Sequence, residues 1–213
     1  MKPLAIFGGT FDPVHLGHLR AAWEASELLD AEVCMMPARV PPHRPPTVAD
    51  ATARVALLRA ALSGQDRLLL DERELGRDGP SYSIDTLAEL RAEIGPQRPL
   101  ILLLGADAFA GLASWHQWRR LFELAHIAVL TRPGGGSGAL PGELAREVEP
   151  RRVAHGRQLA ECAYGRVCGL SVTPIDISAS EVRALLAAGR SPRYLVPDAV
   201  LEQPPLLAPY RVD

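Results

Sequence analysis

The run Leu100-Ile101-Leu102-Leu103-Leu104 constrains this chain more than any other feature. It is apolar at every position and is closed by Gly105, so as a strand it must be buried on both faces. Strands of that kind lie inside a mostly parallel sheet covered by helices on both sides. Leu4 to Phe7, Val33 to Met36, Ile127 to Leu130 and Val167 to Val172 fit the same pattern, and Leu68 to Leu70 reads as a short strand. Leu4 to Phe7 is expected to end in a glycine turn at Gly8-Gly9. Leu16, Leu19 and Trp23 recur at helical spacing and predict a helix from His15 to Leu29. Asp50 is placed to cap a helix carrying Val55, Leu58 and Leu62, and Ser83 to cap one carrying Ile84, Leu87 and Ile94. For Pro141 to Ala163 helix is the preferred reading. A last helix is expected from Ser180 to Ala188, capped by Gly189. Asp78-Gly79-Pro80 reads as a turn, and Pro37 to Pro46 and Arg132 to Gly138 read as loops, the latter mobile.

The fold class that follows is α/β, a doubly wound, mostly parallel, Rossmann-like sheet with helices on both faces. At 213 residues, 47% of them hydrophobic, the chain suffices for one core. We therefore expect residues 1–213 to form one domain, with a C-terminal helical part, about 178–213, packed on it. In such sheets ligands bind beyond the carboxyl ends of the strands, near the switch point.

Bulk properties exclude several function classes. A formal net charge of −2 argues against a broad nucleic-acid surface. Lys2 is the single lysine, so any side-chain cation that meets a phosphate must be arginine or histidine. Cys34, Cys162 and Cys168 form no CxxC pair and suggest neither a disulfide framework nor a zinc site. Nothing reads as a signal peptide or reaches membrane-spanning length, and a reducing cytoplasm is the expected setting.

The chemistry concentrates where motifs follow predicted strands. In Gly8-Gly9-Thr10-Phe11-Asp12-Pro13-Val14-His15-Leu16-Gly17-His18, the first glycines permit close backbone approach to a ligand. His15 and His18, three apart, share one helix face, and Gly17 between them leaves room for a bulky anion. The helix N-terminus adds unpaired N–H donors and partial positive charge, so the parts suit a polyphosphate. A strand–turn–helix corner with two surface histidines would show the same letters. Near the other end, Ile177-Ser178-Ala179-Ser180-Glu181-Val182-Arg183 holds an S-x-x-E capping box at Ser178 and Glu181. Arg183, one turn in, can reach back to an anion at that helix start. Leu104-Gly105-Ala106-Asp107 sets a glycine and a carboxylate at a strand end, suited to ribose hydroxyls or to a simple helix cap.

The segment GGTFDPVHLGH resembles the signature of the HxGH-motif nucleotidyltransferase superfamily, and within it nicotinate-nucleotide adenylyltransferase. Phosphopantetheine adenylyltransferases typically carry a threonine where this chain has His15. The likeness runs from about Leu4 to Pro197 and implies a nucleotidyltransferase fold. It implies that Gly8, Gly9, Thr10, Phe11, His15, His18, Gly105, Asp107, Ser178, Ser180 and Arg183 bind ATP, with His15, His18 and Arg183 catalytic. The family usually shows ISST-x-x-R, so Ala179 cannot supply a side-chain contact there. Pro41-Pro42-His43-Arg44 resembles a PPHK or PPHR segment, and Gly79 to Leu87 a PSYTIDTL segment. By the same resemblance His43, Arg44 and Arg132 serve the acceptor phosphate side, Thr86 the nicotinate carboxylate, and Trp115 stacks on the pyridine ring. Trp118 is expected to pack on a helix.

The implied reaction is in-line attack of the acceptor's phosphate oxygen on the α-phosphorus of ATP, releasing pyrophosphate. The nucleophile is anionic already, so catalysis rests on positioning and charge neutralisation. Mg²⁺ is expected with ATP, held by phosphate and water oxygens and not by a protein cage. The partners expected are ATP and nicotinate mononucleotide, with no nucleic acid, no membrane, and a homo-oligomer allowed. The alternatives are a same-fold enzyme for nicotinamide mononucleotide or phosphopantetheine, and a nucleotide-binding regulator without turnover.

Overall fold

The computed structural model describes residues 1–40, 46–77, 79–131 and 140–211. Its strands are β1 (Leu4–Gly9), β2 (Glu32–Pro37), β3 (Leu68–Leu70), β4 (Leu100–Gly105), β5 (His126–Thr131) and β6 (Val167–Ser171). They form one sheet in the order β3-β2-β1-β4-β5-β6. The five neighbouring pairs are all parallel, so the expected mostly parallel sheet is wholly parallel among the described residues. The order reverses between β1 and β4, which makes their carboxyl ends the switch point.

The helices are α1 (Leu16–Leu29), α2 (Ala51–Ala61), α3 (Ser83–Ile94), α4 (Ala106–Ala110), α5 (Leu121–Leu124), α6 (Gly142–Val148), α7 (Ala179–Ala187), α8 (Asp198–Leu201) and α9 (Pro204–Leu207). Strand alternation sorts the core into two layers. Ala5, Val33, Met35, Ile101 and Leu103 face α1, α2, α7 and the C-terminal turns, through Ala22, Leu57, Leu58, Val182, Val200 and Leu207. Leu4, Ile6, Cys34, Leu100, Leu102 and Leu104 face α3, α5 and α6 on the other side, where Trp118 is buried. The C-terminal α8 and α9 lie against α2.

Several local readings change. Gly8 and Gly9 are not a turn; they stay in the ladder opposite Met36 and Pro37, and the chain turns after them. The residue capping α3 is Tyr82, with Ser83 already its first helical residue. Between Pro141 and Ala163 only α6 is α-helical. Pro150 and Gly156 fall in the next two segments, which form 3₁₀ turns over Glu149–Arg151 and Gly156–Glu161. Asp50 caps α2 by accepting the Ala53 N–H at 2.7 Å. Helix α7 ends at Ala187, one residue earlier than expected. Gly189, at φ 67°, donates to the Leu186 carbonyl, and Arg190 to that of Leu185, a Schellman closure that a left-handed glycine permits. Asp78 of the expected turn, and residues 132–138 of the expected mobile loop, lie outside the described residues.

Candidate active site

The turn after β1 is held rigidly from below. Phe11, at φ 47° and 1% exposed, folds its ring back under Gly9. A Cβ on Gly9 would come within 2.9 Å of that ring, so glycine is required there for packing. The same ring meets His18 edge-on, with centroids 5.1 Å apart. Phe11 therefore supports the site as core. Arg54 of α2 is fully buried beneath the turn. Its guanidinium donates to the Thr10 carbonyl and, at 2.9 Å, to that of Ala38, tying the ends of β1 and β2 together.

His15 forms the N-cap of α1 and is 5% exposed. Its ring stacks on that of His18, with centroids 3.6 Å apart and planes 26° apart. The His15 backbone N–H donates to His18 Nδ1 at 3.4 Å. In the neutral ring this leaves the His18 proton on Nε2, as a donor. Burial lowers the His15 pKa to about 4. Burial, and then repulsion from His15, pushes that of His18 well below the ordinary value. Both rings are thus neutral donors at neutral pH, and an anion beside them would favour their protonation. Gly17 plays a different part from the one expected. A Cβ there would lie 3.0 Å from His15 Nδ1 and 3.7 Å from the Ile175 carbonyl, so the protein itself fills that space. The open ground lies at Gly8 and Gly105, where an added Cβ would meet nothing within 4 Å. Gly8 is the penultimate residue of β1 and Gly105 ends the adjacent β4, so the open space sits at the switch point.

Arg183 reaches this turn from α7. Its Nη1 donates to the Asp12 carbonyl at 2.7 Å, and its Nη2 to Ser180 Oγ at 3.1 Å. Ser178 accepts the Glu181 N–H at 3.1 Å and so supplies its half of the expected capping box. The Leu195 carbonyl takes the first N–H of α1, at Leu16. The amino-terminal imidazoles and the late guanidinium therefore share one corner of the molecule. Asp107 is exposed in the first turn of α4, whose cap is Gly105.

A second group gathers at the start of α3. Ser81 donates its N–H to the Val40 carbonyl at 3.0 Å, and Arg39 donates its N–H to Ser81 Oγ at 3.2 Å. The loop after β2 thereby meets the loop before α3. Tyr82 packs against His116, with ring centroids 4.7 Å apart, which brings in the segment next to Trp115. Trp115 is half-buried against the α3-side core. Thr86 is 2% exposed. Its hydroxyl donates to Glu74 at 2.7 Å and receives Arg77 at 3.1 Å, so that proton is already committed within the protein. Burial raises the Glu74 pKa against these bonds. The donors left at this helix start are first-turn backbone N–H groups. His43, Arg44 and Arg132 lie outside the described residues.

Sequence reasoning missed Asp12, Arg54 and Tyr210. The Asp12 carboxylate is 4% exposed and accepts from the Val48 N–H at 2.8 Å, the Ala49 N–H at 3.1 Å and the Tyr210 hydroxyl at 2.8 Å. Arg54 did leave a signal: it sits three and four residues before Leu57 and Leu58, on an apolar stripe where a cation is out of pattern. Tyr210 left none. Among the described residues, no three His, Cys, Asp or Glu side chains gather as a metal site, and no helix is long and apolar enough to cross a membrane.

The Cytidylyltransferase-like family model matches residues 6–185. A protein of Halorhodospira halophila is 49% identical over 205 residues, covering 95% of this chain and 93% of that one. One of Methylococcus capsulatus is 49% identical over 201 residues, covering 93% and 95%. Both are named "Probable nicotinate-nucleotide adenylyltransferase". Among solved structures, Plasmodium falciparum nicotinic acid mononucleotide adenylyltransferase complexed with NaAD superposes with a TM-score of 0.71 at 16% identity, covering 98% of each chain. At that identity the likeness is one of fold.

Proposed function

The chain belongs to the nicotinate-nucleotide adenylyltransferases of the cytidylyltransferase-like family, and from that premise we propose how its residues divide the work. The enzyme transfers the adenylyl group of ATP to nicotinate mononucleotide, giving nicotinate adenine dinucleotide and pyrophosphate. ATP lies across the switch point, over Gly8 and Gly105, with its phosphates toward the start of α1. The neutral His15–His18 pair offers N–H donors there, and Arg183 supplies fixed positive charge. The acceptor lies toward α3, where the first-turn N–H groups face its carboxylate and Trp115 its ring. Thr86 holds that helix start through Glu74 and Arg77. His43, Arg44 and Arg132 remain assigned to the acceptor phosphate by resemblance.

The acceptor's phosphate oxygen displaces pyrophosphate from the α-phosphorus in line. Because that oxygen is already anionic, no side chain has to remove a proton. His15, His18 and Arg183 lower the barrier by meeting charge as it moves onto the leaving pyrophosphate. Mg²⁺ accompanying ATP would be held by phosphate and water oxygens rather than by side chains, and would supply charge neutralisation there. The donor set fits this: both Asp12 oxygens are occupied by N–H and O–H donors, which leaves that carboxylate to brace the turn. The setting we assign is the cytoplasm.

The observation that carries this reading is the meeting of the stacked histidines and Arg183 at the turn after β1. The test is pyrophosphate release from ATP with Mg²⁺ and each acceptor in turn. Rapid release with nicotinate mononucleotide, and slow release with nicotinamide mononucleotide or phosphopantetheine, is expected. Equal rates with the acid and the amide would defeat the assignment of the acceptor, and no release with any would defeat turnover.

A further inference from the structure

The last turn of the chain touches the first loop at one buried point. Tyr210 is 3% exposed and donates its hydroxyl to Asp12 Oδ1 at 2.8 Å, across 198 positions of sequence. That carboxylate also holds the Val48 and Ala49 N–H groups, so the Asp12 peptide is clamped from two elements distant in sequence. The carbonyl of the same residue receives Arg183 Nη1 at 2.7 Å, while its Oδ2 stands 3.9 Å from that nitrogen. The aim of Arg183 therefore depends on where the Asp12 peptide sits, together with Ser180 of its own helix.

The Arg183 side chain is 29% exposed, and Ser180 Oγ holds its Nη2 at 3.1 Å. On the side toward the C-terminal tail Arg183 borders an open depression of about 300 Å³, lined also by Val48, Ala184, Tyr210 and Arg211. A guanidinium next to empty space keeps its direction through hydrogen bonds, because few atoms oppose its swing. Loosening the Asp12 peptide would let it turn outward into that depression.

We propose that Tyr210 is a positioning residue for the adenylyl-transfer site: by anchoring Asp12, the C-terminal turn holds Arg183 toward the ATP phosphates. This rests on the functional reading above. Tyr210→Phe keeps the ring and removes the one bond. Its effect is read in a double-mutant cycle with Arg183→Ala on the full chain, by ATP affinity in calorimetry and by turnover with nicotinate mononucleotide. Expected is a loss of about 10-fold in turnover and several-fold in ATP affinity when Arg183 is present, shrinking to less than about 2-fold when it is alanine. A structural role alone would cost the same factor in both backgrounds, and that result, or no loss at all, overturns the proposal. Melting temperatures of all four proteins confirm that folded enzyme is being compared. If the native chain binds ATP but turns over no acceptor, the functional reading fails, and the affinity cycle still decides the role of Tyr210.

Discussion

Gly17→Ala separates the needs of the fold from the needs of the site. The new Cβ would lie 3.0 Å from His15 Nδ1 and 3.1 Å from its Cε1. Ordinary contact is about 3.5 Å, so the imidazole must give way by roughly 0.4 Å. It cannot do so freely, because it is 5% exposed and stacked at 3.6 Å on His18. The push therefore passes into the second ring. For stability, alanine gains up to about 1 kcal/mol over glycine in a helix, less in the first turn, while overpacking costs roughly 1–3 kcal/mol. The net loss is about 1 kcal/mol, a fall of about 2–4 °C in Tm for a chain of this size. For catalysis, a misplacement of 1 Å costs on the order of 10²-fold, and on a linear free-energy scale roughly 0.4 Å costs about 6-fold. Melting curves and pyrophosphate release at saturating substrates measure the two effects. Turnover within about 2-fold of the native enzyme would refute the reasoning, because the histidine positions would then tolerate the shift the geometry demands.

Other substitutions test neighbouring claims. Gly8→Ala meets no protein atom within 4 Å, so Tm should hold while KM for ATP rises several-fold; an unchanged KM would move ATP off that glycine. His18→Ala should lower turnover on the order of 10²-fold with the fold intact, and near-native turnover would remove His18 from the mechanism. His126 reports on pH. It is 0% exposed, its Nε2 donates to the Cys162 carbonyl and its Nδ1 accepts the Arg166 N–H, and its pKa is lowered by burial to about 4. The unfolded chain binds the proton first, so the stability held by the neutral ring is complete above about pH 6.5 and is lost as pH falls toward 4, by about 3 kcal/mol. The stability advantage of the native protein over His126→Asn should shrink by that amount between pH 7 and pH 4 in denaturant titrations; a pH-independent gap would show that the ring is not buried neutral.

Much of this was legible in the letters because local rules agreed with the global fold. Five apolar runs could become only buried strands, and α1, α2, α3 and α7 were readable from helical spacing and capping residues. The GGTFDPVHLGH segment named its superfamily because strand, glycines, histidines and helix follow one another without a gap. The reading failed where the answer depended on how the fold directs a side chain. Gly17 looked like room for an anion until the His15 ring and the Ile175 carbonyl were seen to fill it. Thr86 looked like a ligand donor until Glu74, twelve residues earlier, was found to hold its proton.

The sequence by itself determined the parallel α/β sheet, the corner after β1 where we propose the phosphates bind, and the family. Tertiary structure alone decided which groups at that corner are available and which are committed. Period and spacing report a residue's neighbours within one element, whereas availability depends on atoms brought in from others. The bond from Tyr210 to Asp12 closes a loop of 198 residues. No periodicity encodes a contact of that span; it exists because the folded sheet and its covering helices bring both ends of the chain to one buried point.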